Sequence, residues 1–514
     1  MKPIGAYSCE NKINISSCKL SLPIKKNRLM KKVIFTLVAS IVMLHTGCKK
    51  FSEFQTDPNK STTSTPDLLL NTVEQYAFQS TDLGVALSSR QLAFTDNVSN
   101  LQYYGWTRGA FTRYNDLRQV LKMEQVITAQ SKPEYMPLVK FFKAWHFLQL
   151  TQQFGDIPYK EALSGDVNIT TPVYDKQEDI YLGILNDLQA ANSLITTSTP
   201  AVQGDIVYNG NMQQWKRAIN TLSLRVLIGL SHKENDTRFE IKRRFAEIVN
   251  NPATFPILTG NADNAMLKFY DLQGNRYPYY NSNDLQTAYY MEETFINLLK
   301  GFKDPRLFSF ADKAPKFAAL PATDFSAYGG VKGSAPVNEN NARTVAGEVS
   351  KINPRFYNNP VNEPSIALGY AELQFILAEG VVRGWITGSA SDYYNKGITA
   401  SFNFYGLAAT DISNYLAQSS VQLPAVNPLQ HVLTQKYIAS FMNSGMQPFY
   451  EQRRTGIPVF DVSGAGVLNN KMIPKRWMYP ETELRLNQQN VSNAISRQYP
   501  GGDDINGVMW ILKP

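Results

Sequence analysis

Leu138, Phe141, Phe142, Trp145 and Leu148 fall at steps of three and four, so a helix drawn through them has one almost wholly apolar face. Such a face must be covered by another element, which excludes a chain that stays extended or unfolded. The same spacing returns at Ile180, Ile184, Leu185, Leu188 and Ala191, and at Trp215, Ile219, Leu222, Val226 and Leu230. It appears again at Leu373, Ile376, Leu377, Gly380 and Val381, and a fifth stripe spans residues 429–442. Read as core, these stripes predict an all-α dominated fold. Ser131 reads as an N-cap ahead of Pro133 and Glu134, and Asp175 with Glu178 reads as a second capping pair. The first stripe ends with a polar residue, Gln149, before the breaker Gly155-Asp-Ile-Pro158.

Two segments interrupt the helical pattern. Residues 251–283 and 301–365 are rich in Pro, Gly and Asn and show neither helical nor strand alternation. Loops of that length usually carry function. The tail at 473–514 is irregular and aromatic. The expectation is a helical scaffold over residues 67–514 decorated by long loops, with no repeat of fixed period.

The N-terminal region has a different character. Met30-Lys-Lys32 leads into an apolar run at 33–44, followed by Thr46, Gly47 and Cys48. That run is shorter than the ~20 residues needed to cross a bilayer, and its basic start and small-residue end mark residues 30–47 as a secretory signal. Residues 1–29 then form an N-terminal extension, and Met30 reads as an alternative initiator. Of the three cysteines, Cys9 and Cys18 precede the run, and Cys48 sits where cleavage would expose it. No cysteine follows, so the body has no disulfide and no thiolate metal site. Cys48 is the expected lipidation site, although His45 stands where a lipoprotein signal usually has Leu. Residues 48–66 read as a polar, flexible tether. Residues 1–47 hold eight Lys or Arg and one acid, and so carry seven of the eight net positive charges. The body is nearly neutral and has no field to gather nucleic acid.

Signatures of catalysis are missing. There is no Gly-x-Ser-x-Gly elbow, no phosphate loop and no His-Glu-x-x-His motif. His146, His232 and His431 are far apart, and His146 reads as a structural residue. No metal ligand set and no cofactor is expected. The adjacent acids Glu292 and Glu293 read as a solvated edge. Asp503 and Asp504 lack the spacing of a calcium loop. Two clusters instead have the makeup of a sugar platform: flat rings for C–H faces and polar groups for hydroxyls. The first is Asn100, Tyr103, Tyr104, Trp106 and Arg108; the second is Arg276, Tyr277, Tyr279, Tyr280 and Asn281.

Several segments, taken in order, resemble the SusD/RagB family of nutrient-binding outer-membrane lipoproteins, in its SusD-like branch. They are Phe51-Ser-Glu-Phe-Gln-Thr-Asp-Pro-Asn59, Phe154-Gly-Asp-Ile-Pro-Tyr-Lys-Glu-Ala162 and Pro172-Val-Tyr-Asp-Lys-Gln-Glu-Asp-Ile-Tyr181. Asp205-Ile-Val-Tyr-Asn-Gly210, the Trp215–Arg225 helix, Ala371-Glu-Leu-Gln-Phe-Ile-Leu-Ala-Glu379, Phe449-Tyr-Glu-Gln-Arg-Arg-Thr-Gly-Ile-Pro458 and Ile473-Pro-Lys-Arg-Trp-Met-Tyr-Pro480 follow. The resemblance implies a scaffold of tetratricopeptide-like helix pairs whose loops form the ligand face. It also implies a non-catalytic, lipid-anchored outer-membrane protein, exposed at the cell surface, that delivers oligosaccharide or polysaccharide to a SusC-like TonB-dependent transporter. Peptide cargo is an alternative, and a surface glycoside hydrolase is another. Lys49 and Lys50 directly after Cys48 depart from the acidic cluster that surface-exposed relatives often carry there.

Overall fold

An amphipathic helix persists in water mainly because a neighbour covers its apolar face. The computed structural model, which describes residues 64–79, 81–361 and 363–514, shows each stripe covered in this way. Cys48, the expected signal and most of the expected tether lie outside the described residues. The principal helices are α1 (Pro66–Phe78), α2 (Leu83–Ser88), α3 (Arg113–Gln130), α4 (Met136–Phe154), α5 (Gln177–Leu194) and α6 (Met212–Gly229). They continue with α7 (Glu293–Gly301), α8 (Tyr370–Val382), α9 (Ala390–Phe404), α10 (Pro428–Ala439) and α11 (Gln447–Thr455). Successive helices pack side by side: α3 on α4, α4 on α5, α5 on α6 and α8 on α9, with α8 also lying against α6 and α10. This is the helix-pair scaffold expected from the sequence.

Two helix starts differ from expectation. Ser131 is the left-handed C-cap of α3, and Pro133–Tyr135 form a single 3-10 turn before α4 begins. Asp175 does not cap α5. Its carboxylate accepts the N–H groups of Tyr159 and Lys160, and Asp156 from the breaker after α4 accepts the Gln177 N–H at 2.8 Å. The cap is therefore supplied from a distant segment, a link invisible to local spacing. Asn211 caps α6 through Gln213 and Gln214.

The helical core gathers around Phe78, Phe141, Phe142, Trp145 and Trp215, whose ring centroids lie 5.1–6.2 Å apart. A second core is built largely from the irregular regions, around Phe295, Phe310, Tyr437 and Phe441. Short antiparallel ladders tie these regions down: Leu92–Phe94 on Tyr289–Met291, and Ala265–Leu267 on Ser365–Leu368. One nine-residue helix, Val337–Val345, lies inside the segment that shows no helical periodicity. It buries only Asn340, so it has no apolar stripe to read.

Glu292 is not a solvated edge. It is fully buried and caps α7, accepting the Thr294 and Phe295 N–H groups, while its other oxygen accepts the Gly333 N–H at 3.1 Å. Burial pushes its pKa above the usual range despite the nearby Arg90 guanidinium. Glu293 points outward to Arg343 at 2.8 Å.

His146 on α4 is fully buried, and neither ring nitrogen has a protein partner. Burial, with Arg113 nearby, lowers its pKa to about 3. The unfolded imidazole takes up a proton near pH 6.5, so stability is complete above that value and falls as pH drops toward 3. Asp156 acts in the opposite sense, because burial raises its pKa to about 6 despite Arg497. His146→Leu isolates the histidine contribution. Comparing urea midpoints at pH 7 and 4.5, we expect the variant to lose about 2–3 kcal/mol less than the parent on acidification; equal losses would refute the account.

Candidate ligand-binding site

The two aromatic clusters meet on the short helix α2. The Tyr104 hydroxyl donates to the Ser88 carbonyl at 3.0 Å, and the Leu83 N–H donates to the Tyr279 hydroxyl at 3.1 Å. Asp82 caps α2 through the Gly84 N–H at 2.7 Å. A side chain at Gly84 would collide with Leu101, so glycine permits the 100–106 loop to lie against α2.

Four of the predicted site residues lie beneath the surface. Tyr103, Tyr104, Trp106 and Tyr277 are 1%, 0%, 5% and 2% exposed. The Tyr103 hydroxyl donates to the Ala335 carbonyl, and Trp106 Nε1 donates to the Arg476 carbonyl. The Arg90 guanidinium lies 4.5 Å from the Tyr104 ring centre, and Tyr277 packs edge-on against Phe269. None of these rings has a free face for a sugar, so at these positions the expected platform is buried packing. The remaining predicted residues reach solvent. Asn100 is exposed, and its carbonyl accepts the Gly105 N–H. Arg108 is held by Asp503 at 2.7 Å and Glu481 at 3.0 Å. Arg276 pairs with Asp271 and lies over the half-buried Tyr280. Tyr279 is half-buried, and the exposed Asn281 donates its N–H to the Tyr357 carbonyl.

Beside α2 is a cavity of 280 Å³. Asp82, Gly84 and Leu101 form one wall, with Trp145, Leu148, Gln149 and Gln153 of α4 along another. Arg113, Arg225, the 444–447 turn, Tyr450 and Trp477 complete it. Trp145 and Leu148 belong to the helical core, Tyr450 belongs to the loop-built core, and Trp477 packs against both. The cavity therefore opens at the seam between the cores. Trp106 stacks behind Trp477 at 4.7 Å and 11°, so the predicted indole supports the ring that lines the cavity.

The walls are rich in donors. Arg225 is 5% exposed; its Nε and Nη2 engage the Glu372 carboxylate, and the guanidinium lies 5.6 Å from the Trp145 ring centre. Among the described residues, the amides of Gln149, Gln153 and Gln447 have no side-chain hydrogen bond. Burial pushes the Tyr450 pKa up to about 12 despite the nearby Arg453 cation, so its phenol stays protonated at neutral pH. A smaller inner cavity of 50 Å³, lined by Asn261, Asn264, Lys436 and Glu451 among others, has room for about one or two waters and none for a sugar ring. Among the described residues, no group of three His, Cys, Asp or Glu is placed to hold a metal.

Trp477, Arg113, Arg225, Tyr450 and Gln153 were not singled out by sequence reasoning. Gln149 was visible as the polar member of an apolar stripe, and Arg225 is likewise a lone cation inside a buried run. Trp477 lies in a segment that carries the family resemblance, but nothing local marks its ring as partly exposed.

A family described as "starch-binding associating with outer membrane" matches residues 55–480. The chain belongs to the SusD-like family. A SusD homologue of Bacteroides fragilis superposes with a TM-score of 0.82 at 39% identity, covering 88% of this chain and 100% of that one. A second B. fragilis SusD homologue has the same TM-score and coverage at 32% identity. A chitin-binding protein at 23% identity covers 87% of this chain and 99% of its own, with a TM-score of 0.70, and that likeness concerns the fold alone. No curated protein matches the chain. This SusD-like chain is thus a member of a family of nutrient-binding proteins associated with the outer membrane, and such proteins are generally not catalysts.

The two stacked indoles are expected to separate on mutation. Trp106→Ala removes a fully packed ring and should cost about 3–5 kcal/mol in urea unfolding. Trp477→Ala, at a partly exposed ring, should cost clearly less. The reverse order would show that Trp477 is the buried anchor.

Proposed function

We propose that this protein is an outer-membrane lipoprotein, acylated at Cys48, that holds an oligosaccharide in the cavity between its two cores and passes it to a SusC-like TonB-dependent transporter. The observation that carries this reading is the combination of the Trp477 ring with the unpaired amides of Gln149, Gln153 and Gln447 in the lining of one cavity. A ring covers the C–H face of a sugar, and amides pair with its hydroxyl rim. The 280 Å³ volume lies just below the ~300 Å³ at which ligand sites usually begin, and suits a single sugar unit with the rest of the chain at the rim. Asn100 precedes the lining residue Leu101, and the Tyr279 hydroxyl accepts the N–H of Leu83, between the lining residues Asp82 and Gly84, while Arg276, Tyr280 and Asn281 lie further along the second cluster. Tyr103, Tyr104, Trp106 and Tyr277 act from behind, by fixing the walls.

Binding without turnover fits the same wall. A glycosidase needs two carboxyl groups ~5–10 Å apart across the bond it cuts. Among the described residues lining the cavity, Asp82 is the single carboxylate, and it caps α2. The experiment is a glycan array run beside a peptide library, followed by calorimetry and a reducing-sugar assay on each glycan hit. We expect glycan affinity with no product release, and at least a tenfold weaker Kd for Trp477→Ala. Peptide hits alone, or released sugar, would overturn the reading. In cells, Cys48→Ala is expected to move the protein out of the outer-membrane fraction and abolish fatty-acid labelling.

A further inference from the structure

The cavity lining holds two guanidinium groups, Arg113 and Arg225, and one carboxylate, Asp82. The amides of Gln149, Gln153 and Gln447 both donate and accept and so match sugar hydroxyls, whereas a guanidinium only donates and is matched best by an anion. Here the one carboxylate on the wall is Asp82, exposed at the rim and engaged in capping α2. The donors are many. Arg113 uses only Nη1, toward the Tyr76 carbonyl and Asp116, which leaves Nε and Nη2 without partners. Arg225 commits Nε and Nη2 to Glu372 and the Ala367 carbonyl, which leaves Nη1 without one. Behind Tyr450, the buried Arg453 has no carboxylate partner among the described residues; its Nη1 donates to the carbonyls of Gln152 at 2.9 Å and Lys475 at 2.7 Å. Arg113 and Arg225 therefore line the cavity with N–H groups left over after their pairing with Asp116 and Glu372, and Arg453 lies behind Tyr450.

A carboxylate is all acceptor and carries the complementary charge, and guanidinium groups bind it through directed, charge-assisted bonds. We propose that the cavity selects glycans bearing an anionic group, a uronic acid or a similarly charged sugar, seated against Arg113 and Arg225. This rests on the glycan-binding reading above and specifies its cargo. Partial burial makes the attraction stronger than at an open surface, while the rim leaves it sensitive to salt.

The test uses the purified full-length protein in detergent and oligogalacturonides of four to six units, each beside its carboxyl-reduced neutral counterpart, on an array that also carries sulfated, other neutral and peptide probes. We expect acidic glycans to bind, carboxyl reduction to weaken binding at least tenfold, and affinity to fall as salt rises from 50 to 500 mM. Arg113→Gln should weaken acidic-glycan binding at least tenfold with an unchanged melting temperature, and Arg113→Lys should restore part of it. Neutral glycans binding as tightly as acidic ones, or an Arg113→Gln variant of unchanged affinity, would overturn the charge selection and leave glycan binding standing. Binding of peptides alone, or of no glycan at all, would instead overturn the reading beneath it.

Discussion

The stack of Trp106 on Trp477 joins the architecture at the seam between a helical core and a core made largely of loops. Trp106 packs with Tyr104 and Phe449 in the loop-built core, and Trp477 spans to the helical core. Two aromatic faces in contact bury a large area with little rotational freedom to lose. Because the outer ring is only partly covered, the same interaction that joins the cores also leaves an indole on a cavity wall. On the proposed reading, stability and recognition thus share one pair of side chains.

The polar interior supports the same seam. Arg225 and Glu372 join α6 to α8 beneath the cavity, and Arg476 lies against Tyr479 and Tyr499 while paired with Asp503. Arg306 and Asp304 form a wholly buried pair that also engages Ser401 and Gln435. Removing one partner of such a pair leaves an uncompensated charge, so these contacts fix geometry more than they add stability. They explain how segments without regular structure hold a defined position.

The helical half of the fold was legible because its information is periodic. A stripe such as Trp215 to Leu230 states both that a helix forms and which side is covered. The caps were misread because Asp156 and Ser131 act through chain geometry that spacing does not encode. The loop-built half was opaque for a related reason: its order comes from contacts far apart in sequence, such as Glu292 with Gly333 or Trp106 with Trp477. For the candidate site, composition picked out two aromatic clusters that both pack on α2. It could not separate rings that face a ligand from rings that hold the wall, because that depends on a few ångströms of depth and not on residue type. The cavity residues Gln153 and Tyr450 each sit on a helix where their neighbours are ordinary core, and Arg113 opens its helix among polar residues.

The helix Val337–Val345 buries one side chain, whereas the wall carrying Arg225, Trp145 and Glu372 is almost wholly enclosed. These two regions have opposite tolerance for sequence drift. Change can accumulate in the outer loops without threatening the fold, but the inner wall admits almost none. Diversification toward new nutrients would therefore proceed from the lip inward, with Asp82, Asn100 and Gln447 free to vary long before the ion pair below them.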